Sequence, residues 1–206
     1  NVERMNSLFS GCHSLTSIDI TNFNTSKVNR ASNLFYYCKS LTSIDVSHMD
    51  TGHMTSIEGM FNGCHNLQSI DISNFDTSNI KDISNMFSYC NSLEFVNLCN
   101  FDTRNVEKMI MLFFACRSLK SVDVSSFDTS IVMDMHDMFD GCINLEFLNI
   151  TNFVYNSRTS IGNGYLDMFQ EDSKLHLIIS NDFYTKIIGQ NPYLKVIDEN
   201  VTIIGK

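Results

Sequence analysis

Six cysteines recur at a fixed interval, and this interval constrains the fold more than any other feature of the chain. They lie 26 residues apart, at Cys12, Cys38, Cys64, Cys90, Cys116 and Cys142. Each has a Phe three residues before it and a Leu three residues after it, followed by two apolar residues around one polar residue in most copies. A period of ~20 to 50 residues is the signature of stacked copies of one small unit. The chain therefore predicts a repeat fold.

The first half of each unit predicts a short α-helix, and residues 79–90 show the pattern. The apolar residues there are Ile80, Ile83, Met86, Phe87 and Cys90. Spacings of three and four place such residues on one side of a helix. Thr77 or Ser78 stands where a helix N-cap belongs.

The second half of each unit predicts a strand. Leu93, Val96 and Leu98 follow the spacing L-x-x-L-x-L, and the last two alternate like inward-facing strand residues. Neither half can bury its apolar side alone, so stacking lays strands side by side in a parallel sheet and helix on helix. The predicted fold is an α/β leucine-rich-repeat solenoid. It has about seven coils of 26 residues, with the sheet on one face and the helices on the other, and a C-terminal cap.

The repeat predicts one domain over residues 1–206, without an internal linker. Residues 1–153 are regular, residues 154–181 form an irregular coil with an insertion, and residues 182–206 form the cap. Because the chain opens inside a repeat, we expect a leader, an anchor or further repeats outside this sequence.

The irregular coil keeps part of the frame. Asn156 to Gly164 adds four residues, and Asp172 takes the cysteine position. Leu175 and Ile178 keep the Leu and Ile positions, and Val201 to Ile204 predicts a final strand.

The cysteine column predicts buried free thiols. A thiol packs well as a small apolar group between helix and strand. Zinc sites often use C-x-x-C pairs, and the sequence has none. Adjacent coils would lie ~4.8 Å apart, which is within reach of a disulfide, so the spacing also leaves pairing open.

The link from strand to helix repeats as F-D-T-S. Short Asp, Thr and Ser side chains bond nearby backbone N–H groups, so the motif predicts a turn that also caps the next helix. A calcium site on the column Asp50, Asp76, Asp102 and Asp128 is the alternative. The turn is favoured because Asn24 replaces the carboxylate in the first copy.

Charge and motifs exclude several function classes. The formal charge of −9 and the lack of a Lys/Arg cluster argue against nucleic acid and anionic lipid as partners. No apolar run approaches the ~20 residues of a membrane span. The six histidines share no ligand spacing and no catalytic motif occurs, so we expect no enzyme activity, no metal and no cofactor.

The frame M-F-x-x-C-x-x-L-x-S-I-D-I-S-x-F-D-T-S at Met60 to Ser78 resembles the BspA-like leucine-rich-repeat surface proteins and related repeats of bacterial lipoproteins. The likeness is close over residues 2–153. It implies a β/α solenoid at the surface of bacteria or protozoan parasites that adheres to host protein, and it transfers no catalytic residue. Asn97, Asn149 and Met49 depart from the frame.

The outward side of the predicted sheet carries the candidate binding site. Most copies repeat Ser and Asp there, but Phe95 and Phe147 replace Ser, ~10 Å apart. Exposed aromatic residues are effective anchors for a protein partner. Asn97, Asp123 and Asn149 are their polar neighbours. The alternative is that the two rings only pack on each other or on flanking residues.

The predicted function is recognition or adhesion by a cell-surface or secreted module, with a protein, such as a host extracellular protein, or a glycan as partner. The alternative is a structural spacer within a larger surface protein.

Overall fold

Successive copies of the 26-residue unit stack on one another. The computed structural model describes residues 2–154, 175–187 and 201–204. Parallel backbone bridges join the same position of each unit to the next, in the order Arg4, Arg30, Ser56, Asp82, Lys108 and Asp134. Equivalent positions of neighbouring units therefore lie side by side.

Six short strands and one helix occur in the described residues. The strands are β1 (Ser69–Asp71), β2 (Phe95–Asn97), β3 (Ser121–Asp123), β4 (Phe147–Ile150), β5 (His176–Ser180) and β6 (Val201–Ile204), and the helix is α1 (Asn181–Ile187). One sheet holds β1 and β2, and a second holds β3, β4, β5 and β6 in that order. Every pairing is parallel, so the predicted parallel arrangement is confirmed.

The helices predicted for residues 1–153 are wrong, because consecutive tight turns take their place. In residues 83–90, the Met86 N–H donates to the carbonyl of Ile83 and the Cys90 N–H to that of Phe87, at 3.3 and 3.0 Å. The third residue of each turn has a positive φ, 58° at Asn85 and 59° at Tyr89. This is the arrangement of a type II turn, and two residues with positive φ cannot lie inside an α-helix.

Both positions with positive φ recur in every one of the first six units. They are Ser7, Asn33, Gly59, Asn85, Met111 and Asp137 for the first turn, and Gly11, Tyr37, Gly63, Tyr89, Ala115 and Gly141 for the second. Two successive four-residue turns place apolar residues at nearly the spacing of a helix with 3.6 residues per turn. The spacing of the apolar residues therefore could not distinguish an α-helix from two consecutive tight turns.

Alternate N–H groups in the turns connect one unit to the next. The Phe87 N–H donates to the carbonyl of Leu112 at 3.0 Å, and the Tyr89 N–H donates to that of Phe114 at 2.7 Å. A helix would use these donors within its own chain segment. Here they satisfy the carbonyls of the following unit, so stability comes from contacts between neighbours.

The core between turns and strands is a column of stacked rings beside a column of thiols. The rings belong to Phe9, Phe35, Phe61, Phe87, Phe113 and Phe139. Neighbouring centroids are 5.4–5.8 Å apart with interplanar angles of 4–8°. All seven cysteines are free thiols. Burial raises the pKa of the Cys90 thiol to about 12, and this thiol donates to the carbonyl of Phe61 at 3.1 Å.

The F-D-T-S segment forms the predicted turn, but its Thr does not cap a helix. Asp76 Oδ1 accepts bonds from the N–H and hydroxyl of Ser78 at 3.0 and 2.6 Å, which closes the turn. The Thr77 hydroxyl instead joins two units, because it donates to the carbonyl of Asp102 at 3.1 Å and accepts from the Asp102 N–H at 2.8 Å. Thr77 is 1% exposed. No helix starts there for it to cap.

The C-terminal part keeps the stacking with a shifted register. Leu148 of β4 pairs with Leu177 of β5, and both are buried. Ile178 pairs with Asn149 and is only partly buried, so its predicted position was wrong by one residue. Leu175 is buried as predicted. The insertion of residues 156–164 and Asp172 lie outside the described residues.

In the C-terminal part, one helix and one strand occur within the described residues 181–187 and 201–204. The predicted strand Val201 to Ile204 is confirmed as β6, which extends the second sheet. Helix α1 follows β5 directly. Its Phe183 is fully buried and meets Phe153 edge-on, with centroids 6.1 Å apart. A ring of α1 therefore packs against Phe153, which holds the position of the Phe in the F-D-T-S segments of earlier units.

Candidate binding cleft on the strand face

The outward side of the strands carries one repeated column of side chains. In β1, β2 and β3 the middle residue is buried and the first residue is exposed, as expected for alternation along a strand. Pairing aligns Ser69 with Phe95, Ser121 with Phe147, and Phe147 with His176. Two aromatic rings thus stand in a column that is otherwise small or polar.

A cleft of about 380 Å³ opens between β2 and the β3–β4 pair. Its lining includes all five residues that the sequence predicts for a site, which are Phe95, Asn97, Asp123, Phe147 and Asn149. Val96, Leu98, Cys99, Ser121 and Val122 line it as well. We call this set of ten residues the strand-face cleft. The structure therefore brings the predicted site residues together.

The two phenylalanines of the cleft are accessible but differently supported. The exposed fraction is 57% for Phe95 and 42% for Phe147. Phe147 stacks on the imidazole of His176, with centroids 6.0 Å apart and an interplanar angle of 16°. The His176 ring also lies 3.0 Å from the hydroxyl of Thr202. Part of the alternative interpretation is thus correct for Phe147, because one side of its ring is packed.

Local hydrogen bonds lower the pKa of the carboxylates on this face. Asp123 Oδ1 accepts bonds from the hydroxyl and N–H of Ser125, at 2.6 and 2.9 Å, and these bonds lower the pKa of Asp123. Asp71 accepts the N–H of Ser73 at 3.0 Å, and its pKa is lowered for the same reason. The pKa values of Asp19 and Asp45 are lowered by equivalent bonds.

Asparagine replaces this carboxylate in the two strands that carry Phe. Asn97 Oδ1 accepts the N–H of Cys99 at 3.2 Å, and Asn149 Oδ1 accepts the N–H of Thr151 at 3.1 Å. The local turn therefore tolerates either residue. Inside the cleft, Asp123 is the one acidic residue of the lining, between two neutral amides.

Two contributors to the site were missed at the level of sequence. Ser121 belongs to the cleft because a small side chain between two rings leaves space, and its repetition as Ser concealed this role. His176, which stacks on Phe147 beside the cleft, was missed as well, because the spacing of the irregular coil did not predict that it pairs with Phe147. Cys99, the cysteine outside the repeated column, is exposed.

The described residues hold no group of three or more His, Cys, Asp or Glu side chains placed to bind a metal ion. Within residues 2–154, 175–187 and 201–204, no helix has the length and apolarity needed to cross a bilayer.

The repeated part of the chain matches a known protein family. Residues 3–98 and 89–188 each match the family described as "Mycoplasma protein of unknown function, DUF285". The chain belongs to this family. The two matches overlap and together span residues 3–188, which include the stacked units. No curated protein and no solved structure matches the chain.

Proposed function

We propose that this DUF285 chain is a non-enzymatic recognition module at a cell surface or in the secreted fraction, and that it binds a protein partner through the strand-face cleft. The observation that carries this proposal is the meeting of Phe95 and Phe147, both substantially exposed, at one cleft with polar neighbours. Partly exposed aromatic rings beside hydrogen-bonding groups are typical anchors in protein interfaces.

The scaffold supports this function. The stacked units and parallel strands suit a leucine-rich-repeat solenoid, in which an extended sheet offers a continuous binding surface. Surface location is supported by the likeness of Met60–Ser78 to the BspA-like repeats. Recognition without catalysis agrees with the composition of the cleft, whose acidic residue is already bonded to Ser125.

The test compares two double variants against a panel of purified extracellular-matrix and plasma proteins, with a glycan array beside it. Phe95→Ser with Phe147→Ser removes both rings. Met133→Ser with Ile143→Ser is the matched control, because these side chains are 40% and 47% exposed and lie outside the cleft. We expect the first variant to lose about tenfold or more in affinity for a protein of the panel, and the control to keep it.

Three outcomes would contradict the proposal. Equal binding by both double variants would exclude the cleft as the interface. Binding only to the glycan array would replace the protein partner with a sugar. No binding by the unchanged chain would favour the structural spacer.

A further inference from the structure

The occupant of the cleft can be specified further from its geometry and charge. Resting on the proposed function, we propose that the strand-face cleft takes one cationic side chain of the partner protein, arginine ahead of lysine. The cation lies over Ser121, between the rings of Phe95 and Phe147, and pairs with the carboxylate of Asp123.

The spacing of the strands suits a cation between the two rings. Phe95 of β2 and Phe147 of β4 line the cleft together with Ser121 of β3, the strand between them in chain order. A cation that enters the cleft above Ser121 therefore has a ring on either side, and an aromatic face attracts a cation that lies within ~6 Å of its centroid. The small Ser121 side chain leaves this position open.

Asp123 provides the counter-charge. Both of its hydrogen bonds within the described part of the chain go to Oδ1, from Ser125. Its Oδ2 accepts none there, which leaves that atom for a ligand. Lys120, the residue before β3, lies 3.8 Å from Glu94 and so is paired with another carboxylate. The column of Asp19, Asp45 and Asp71 adds negative potential along the same face.

Arginine fits these groups better than lysine. Its planar guanidinium stacks on aromatic rings and can donate to a carboxylate at the same time. A neutral aromatic or sugar ring would stack on phenylalanine equally well but would leave the Asp123 charge without a partner. Charge complementarity with a chain of formal charge −9 points the same way.

The test uses ¹⁵N-labelled chain and a Gly/Ser peptide with one central Arg, compared with the same peptide carrying citrulline. Citrulline keeps the shape of arginine and removes its charge. We expect the Arg peptide to shift the amide signals of β2, β3 and β4 with a Kd on the order of millimolar. The citrulline peptide is expected to bind about tenfold more weakly.

Two variants probe the cleft without disturbing the fold. Asp123→Asn removes the charge and Ser121→Phe fills the space. Asn97 and Asn149 already occupy the position equivalent to Asp123, and Phe95 and Phe147 that equivalent to Ser121, so the unit accepts both changes. We expect Asp123→Asn to weaken the Arg peptide about tenfold and Ser121→Phe to abolish the shifts.

Equal affinities for the Arg and citrulline peptides, or Arg-peptide binding unchanged by Asp123→Asn, would overturn this inference. Either result could coexist with loss of panel binding in the double phenylalanine variant, in which case the proposed function stands and only the cationic occupant fails. If the Arg peptide binds at the cleft but no protein of the panel binds the chain, the cationic occupant stands and the proposed function fails.

Discussion

The turn side and the strand side of this molecule repeat with different fidelity. On the turn side, the six stacked Phe rings keep centroid spacings of 5.4–5.8 Å, and both positive-φ positions occur in each of the six units. On the strand side, the outward column changes from Ser to Phe and back to Ser within three strands. The buried strand residues, in contrast, remain apolar.

This difference indicates that the turn side determines the fold and that the outward residues of the strand side can vary with function. Each turn segment is used twice, once for its own shape and once to accept hydrogen bonds from the preceding unit, so a change there affects two units. An outward strand residue meets solvent and its neighbours in the column. Recognition residues can therefore change in one unit without disturbing the stack.

The comparison is tested most strongly by truncating one phenylalanine on each side. Phe87→Ala leaves a cavity between Phe61 and Phe113, and we expect it to lower the free energy of unfolding by about 3–5 kcal/mol. Phe95→Ala, at an exposed site, is expected to stay within about 0.5 kcal/mol. Urea unfolding followed by circular dichroism measures both. Similar losses for the two variants would break the proposed division between the sides.

A smaller effect is expected from the hydroxyl column that joins units. The Thr103 hydroxyl donates to the carbonyl of Asp128 at 3.0 Å and accepts from its N–H at 2.7 Å. Thr103→Val keeps the shape but leaves both groups unpaired, at a cost of about 1–3 kcal/mol. Thr103→Ser retains the hydroxyl and is the control. Equal unfolding midpoints for the Val and Ser variants would show that the hydroxyl does not contribute.

The smallest effect concerns the outward carboxylates. Bonds from Ser47 and Ser73 hold the pKa values of Asp45 and Asp71 below their ordinary 3.8. A lowered pKa in the folded state adds stability above the pKa of the unfolded state, and this stability is lost as pH falls through the folded pKa. We therefore expect Asp45→Asn with Asp71→Asn to flatten the loss of stability below about pH 4. Urea midpoints at pH 7 and pH 3 measure this, and an unchanged pH difference would contradict it.

The 26-residue interval was enough to predict several features of the structure. The parallel pairing, the burial of the cysteine column from Cys38 to Cys142 and the outward position of Phe95 and Phe147 all follow from the repeat and from alternation along a strand, whereas Cys12 in the first unit is only partly buried. The convergence of Asn97, Asp123 and Asn149 on the same cleft follows from the same register.

The sequence did not predict the tight turns, because they depend on which carbonyls accept the backbone N–H groups. Ile80, Ile83 and Phe87 have the spacing of a helix, but their segment is built from turns, because half of its N–H groups bond to the next unit. The spacing of the apolar side chains does not indicate which carbonyl each N–H bonds to. The register of β5 was missed because the residue that pairs with Leu148 is Leu177, two residues after Leu175, whereas the regular units place it three residues after their Leu.

The direction of the bonds between turn segments has one more consequence. In the paired tight turns, the N–H groups that bond between units belong to the earlier unit and the carbonyls to the later one, as from Ser7 to Ser32 and from Gly63 to Ser88, whereas just before these turns the direction reverses, as from Lys81 to Thr55. Each junction thus carries bonds in both directions, and only its tight turns have a fixed polarity along the stack. Excising a complete unit therefore restores a matching junction, because the units on either side of the cut keep equivalent donors and acceptors.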